Sequence, residues 1–103
     1  MSKYTKQEVE GYLREYTMLK YAVTYNLENS DLVVNLMDLD SSLRKLQREY
    51  KNLYKTLIGV FVYGNPIQEQ AKLMNVSKRQ INRRLDDGLH ILTMIMNGEV
   101  YAG

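Results

Sequence analysis

The chain has 103 residues, 45% hydrophobic and 25% charged, with a net charge of +2. This describes one small domain with a modest core and the composition of a folded protein. It has no cysteine, which excludes disulfides and thiolate metal sites, and no apolar run reaches the about 20 residues that span a bilayer. Residues Met1 to Glu8 lack the apolar stretch of a secretion signal, so the cytoplasm is the expected compartment.

A single proline and few glycines favour helices. Thr5 and Glu8 have the spacing of a capping box, and Val9, Tyr12, Leu13, Tyr16, Leu19, Val23 and Leu27 follow at three- and four-residue steps. The spacing predicts one helix that ends in the polar stretch Asn26 to Asp31. A second apolar run, Leu32, Leu36, Leu39, Leu43, Leu46, Tyr50, Leu53, Leu57 and Phe61, keeps a heptad-like spacing as far as Gly64. Asp38-Leu39-Asp40-Ser41-Ser42 predicts a break in it, because Asp and Ser compete for backbone hydrogen bonds. A new helix is expected over about 43–63.

The segment from Asn65 to Leu85 reads as two short helices, 66–74 and 77–96, joined by a tight turn. Asn65 is placed to cap the first, with Pro66 at its first position and Gln68 as box partner. Asn75 falls where the chain must turn, and asparagine tolerates a left-handed backbone. Ser77 and Gln80 form a second capping box. Ala71 suits a close helix crossing, while Val76, Ile81 and Leu85 supply the apolar underside. Leu89, Leu92, Ile95 and Met96 continue that face until Asn97-Gly98 stops the helix. Such a pair of helices is how a helix-turn-helix presents a recognition helix to the major groove.

Charge agrees. Gln70 to Leu85 holds five basic residues and no acidic one, whereas residues 1–69 carry nine of each. A basic patch of this kind attracts phosphate backbones through counterion release.

The order IQEQAKLMNVSKRQINRRLDDGLHIL resembles the fourth region of bacterial sigma factors: an apolar helix, a turn ending in Val-Ser, then a basic helix. It is similar also to small sigma-like regulators of phages and prophages of the ArpU/RinA type. The resemblance runs from about Leu43 to Leu92. Gln70 stands where the family usually has Ile or Leu, and Asn75 where it usually has Gly; Gln70 is expected at a partly exposed edge. The resemblance implies an all-α fold, with N-terminal helices (1–40) followed by a helix-turn-helix DNA-binding domain (41–103) in one compact unit. It also implies double-stranded DNA as partner, RNA polymerase as a second one, and a bacterial host cell.

Catalytic readings find little support, and no enzyme, cofactor or metal site is expected. The sole histidine, His90, has no partner nearby in sequence, and no glycine loop is built to cradle a phosphate. Asp38 and Asp40 are two apart, face different ways on a helix, and read as a cap. Asp86 and Asp87 bound the basic patch. Nine tyrosines invite a single-strand stacking role, but Tyr12, Tyr16, Tyr50 and Tyr54 lie beside leucines at helical spacing and read as core. Tyr4, Tyr21 and Tyr25 are expected at the surface. The leucine run is either the core of a bundle or the seam of a homo-oligomer, with a dimer favoured because so small a chain has few elements to cover it.

On the second helix Lys78, Arg79, Asn82 and Arg83 lie offset from the inward Ile81 and Leu85 and are the candidates for reading bases. Arginine pairs bidentately with guanine and asparagine with adenine. The resemblance places base contacts at the same positions. Lys72, Ser77, Gln80 and Arg84 are the candidates for phosphates. Three functions remain open: a sigma-like transcription regulator, a small-terminase-like packaging protein, and a protein that binds polymerase or a sigma factor without DNA.

Overall fold

Residues 4–24 and 30–99 are described by the computed structural model, and every regular element among them is helical. Thr5 opens the first helix, α1 (Lys6–Arg14), as its spacing to Glu8 predicts. The Glu8 amide donates to Thr5 Oγ1 at 3.2 Å, and the Thr5 amide donates back to Glu8 Oε1 at 3.1 Å. Val9 and Leu13 turn inward. The single helix expected as far as Leu27 is not formed. The chain bends at Glu15 (φ −100, ψ 8) and restarts as α2 (Tyr16–Thr24). Beyond the bend the Tyr16 hydroxyl donates to the Asp40 carboxylate, while Tyr12 accepts from Asn35. The expectations for Tyr25 and Leu27, most of the helix end at Asn26–Asp31, and the side chains of Val23 and Leu32 fall outside the described residues.

The next helix, α3 (Ser30–Glu49), runs unbroken through Asp38–Ser42, where the sequence predicts a break. Asp and Ser disrupt helices when their side chains compete for the backbone. Here both aspartates are engaged elsewhere. Asp38 Oδ2 accepts from the Tyr4 hydroxyl at 2.6 Å, Asp40 is taken by Tyr16, and Ser42 is buried. The two carboxylates are therefore anchors for the N-terminal segment rather than helix caps. Tyr4, expected at the surface, is only 3% exposed. Its burial, and next its bond to Asp38, push the phenol well above the ordinary tyrosine range, so it stays a neutral donor.

The break comes instead at Tyr50 (φ −138, ψ 62), ahead of α4 (Lys51–Leu57). That helix widens into a π-helical turn, Ile58–Val62, in which the Tyr63 amide donates to the Ile58 carbonyl at 3.0 Å. The one helix expected over 43–63 is thus the end of α3, α4 and a π turn. Two more follow, α5 (Ile67–Met74) and α6 (Lys78–Met96), close to the predicted bounds.

One core joins these elements. Val9 and Leu13 of α1, Leu39, Leu43 and Leu46 of α3, Leu57 of α4, and Ile81, Leu92 and Met96 of α6 belong to a single buried cluster. Full burial of such side chains contributes about 1.5–3 kcal/mol each. Of the leucines that were candidates for a dimer seam, Leu39, Leu43, Leu46 and Leu57 belong to this core, Leu36 is buried as well, and Leu53 packs partly buried against it. Gly88 lets α4 approach α6 closely: a Cβ there would sit 3.0 Å from Leu57 Cγ. The α3 helix spans residues 40 and 41, and the cluster draws side chains from both sides of that boundary.

The end of α6 is fastened to the start of the described chain. Gly98 (φ 70) takes the left-handed conformation, and the Gly98 and Glu99 amides donate back to the Ile95 and Met94 carbonyls. The Asn97 side chain then accepts from the Tyr4 amide at 2.7 Å and donates to the Tyr4 carbonyl at 3.0 Å.

Candidate nucleic-acid interface

The turn between α5 and α6 is built as the sequence predicts. Asn75 adopts φ 57, ψ 47, and around it the Asn75 and Val76 amides donate to the Lys72 and Ala71 carbonyls at 3.2 and 3.0 Å. Ala71 is buried at the crossing. Ser77 then caps α6. Its Oγ accepts from the Gln80 amide at 3.1 Å, and Gln80 Oε1 accepts from the Ser77 amide at 3.0 Å. Both ends of the connection are closed by local hydrogen bonds, which fixes where α6 begins and which face it turns outward.

That face carries the predicted readers. Ile81 and Leu85 are buried, while Lys78, Arg79, Asn82 and Arg83, offset from them, are all exposed. Successive residues turn by about 100° on a helix, so these four share one side across two turns. Lys72, Ser77 and Gln80 are also exposed, and Arg84 is half-buried on the flank of the row. Gln80 gives its oxygen to the cap and keeps its amide N–H groups free of it. Among the described residues, Lys72, Lys78, Arg79, Arg83 and Arg84 form no ion pair. Their charge is therefore directed at solvent. Asp86, one turn after Asn82, is bridged by Lys6 of α1 at 2.6 Å, and this hydrogen bond holds its carboxyl below the usual range. Asp87 and His90 are exposed.

The start of α5 differs from the expected one. Asn65 does not cap it; Pro66 occupies that position without a side-chain bond. Asn65 Nδ2 donates instead to Gln70 Oε1 at 3.0 Å, and Gln70 Nε2 donates to the Lys55 carbonyl at 3.3 Å. Gln70, expected at a partly exposed edge, is 5% exposed. It fits because Gly59, in the π turn, has no side chain: a Cβ there would overlap the Gln70 amide. The glutamine in an apolar family position is thus matched by a glycine eleven residues earlier, and together they set α5 against the preceding helix.

Among the described residues no group of three His, Cys, Asp or Glu side chains could hold a metal ion, and no helix is long and apolar enough to cross a membrane. A family model described as ECF sigma factor matches residues 11–87, which takes in the end of α1, α2 to α5 and the first half of α6. No curated protein and no solved structure matches the chain.

Proposed function

Since the chain belongs to the ECF sigma factor family, we propose that it is a sequence-specific, double-stranded-DNA-binding transcription regulator of phage or prophage type. The observation that carries this reading is the basic face of α6, without an ion pair among the described residues, behind a turn closed by Asn75 and Ser77. Lys78, Arg79, Asn82 and Arg83 enter the major groove and meet base edges. Lys72, Ser77, Gln80 and Arg84 hold phosphates on either side. RNA polymerase is the second partner. Tyr63, 75% exposed at the end of the π turn, supplies an apolar side chain for that contact.

The test begins with selection of bound sequences from random duplexes, followed by salt titrations on the selected and a scrambled duplex. Asn82→Ala and Arg83→Ala should each remove about 1–3 kcal/mol of discrimination at particular base pairs. Lys72→Ala should weaken both duplexes alike and make the salt dependence shallower. A wild-type protein that binds neither duplex at low salt would overturn the reading and leave polymerase binding alone.

A further inference from the structure

The neutrality of residues 1–69 hides a division. Residues 1–40 hold four basic and seven acidic side chains, whereas residues 41–69 hold five basic and two acidic ones. Four of those five, Arg44, Arg48, Lys51 and Lys55, are spaced four, three and four residues apart along the end of α3 and along α4, and all four are exposed. None forms an ion pair among the described residues. The fifth, Lys45, shares a hollow with Glu49 and Glu99 and so faces acidic company.

The surroundings of the row are those of an anion site rather than of a salt-bridged helix. Ser41, Arg44, Gln47 and Arg48 enclose a shallow hollow whose rim holds two guanidinium groups, an amide and a hydroxyl but no carboxylate. Asp40, close to Arg44, is already engaged by the Tyr16 hydroxyl. The row also runs into the recognition unit. Lys55 and Leu73 line the same hollow, and Lys72 precedes Leu73 on α5. The Thr56 hydroxyl lies 3.3 Å from Met74 Sδ, at the last residue before the turn.

We propose that Arg44, Arg48, Lys51 and Lys55 form a second DNA-backbone site, which holds phosphates of the duplex flanking the segment read by α6. The proposal rests on the DNA reading above. The long axis of the molecule is 42 Å, about 12 base pairs of B-DNA at roughly 3.4 Å each. Flanking phosphates therefore fall within its span. In a helix-turn-helix the helix ahead of the recognition helix already crosses the backbone, and the row extends that track.

The test is the full-length variant R44A/R48A/K51A/K55A, compared with wild type in salt titrations on a selected site with short and long flanks. Alanine favours helix at each position, so the melting curve should stay at or above that of wild type. Each lost phosphate contact lowers the salt slope by about 0.9, so the expected result is a slope shallower by about 2 to 4. The loss should be equal on selected and scrambled duplexes, and long flanks should cease to improve affinity. The variant R44K/R48K/K51A/K55A, which keeps two of the four charges, should recover about half of the lost slope. An unchanged slope and flank dependence, with Arg83→Ala still weakening the same wild-type complex, would overturn the second site and leave the first intact. A wild type that binds no duplex would overturn both.

Discussion

Asp86 stands one turn after Asn82 on α6, where, on the proposed DNA reading, its charge would repel the backbone that the basic residues around it attract. Lys6, eighty residues away in sequence, bridges it. The bridge is exposed and adds little to stability. Its folded pKa is depressed, so what it does add is present above the ordinary carboxylate range and is lost as pH falls through the lowered value. Its larger consequence is for the field over the recognition row, which lies within about one Debye length of 8–10 Å. Lys6→Ala should weaken binding to every duplex by a few-fold at low salt, and Asp86→Asn should strengthen it. In the Asp86→Asn background the loss from Lys6→Ala should shrink, because its partner charge has gone. Strictly additive effects in a double-mutant cycle would show that Lys6 acts independently of Asp86. The sequence identifies Asp86 as a boundary of the patch but not its partner, since nothing local in the chain points from one to the other.

At the scale of elements, what can be read from the chain is what is local. Thr5 with Glu8 and Ser77 with Gln80 act over three residues, and each box forms as its spacing predicts. Asn75 depends only on its own backbone conformation, and it is left-handed. The breaks are harder to place because distant side chains decide them. Tyr4 and Tyr16 engage the two aspartates that would otherwise interrupt α3, and the helix runs on to Tyr50. Asn65 has the type and position of a cap, yet the buried Gln70 amide claims it. The Gly59–Gln70 fit yields a sharp expectation. Gly59→Ala drives the amide off its partners, and a buried amide without them costs about 1–3 kcal/mol. Gln70→Ala removes the obstruction, so Gly59→Ala should cost markedly less in that background. Thermal melts of the four proteins measure this; equal costs in both backgrounds would mean that Gln70 does not fill the space at Gly59.

For the whole molecule, the match to ECF sigma factors covers residues 11–87 and agrees with the region-four likeness read from the motif. The all-α fold is legible because apolar residues recur at helical steps throughout. Which surfaces those residues cover is not, since periodicity identifies an apolar face without saying what lies against it. The leucine run shows the difference: on spacing alone it serves equally as core or seam, and the structure turns Leu39, Leu43 and Leu46 into a cluster that also holds Val9, Leu13 and Leu92. Val9 and Leu13 of α1 pack against those leucines, and the Tyr4–Asn97 bonds hold the start of that segment in place. A lysine introduced at Leu43 therefore meets the interior of its own chain. An unpaired buried charge of this kind is among the most destabilising single changes, several kcal/mol where relief by exposure is blocked. Leu43→Lys should lower the melting temperature by the same amount at every protein concentration, with loss of helical circular dichroism at the transition. A seam residue would behave otherwise: its variant would keep a folded monomer, and the deficit relative to wild type would change on dilution as wild-type assembly dissociated. A Leu43→Lys protein that remained helical, with a deficit that vanished at low concentration, would return the leucines to an interface between chains.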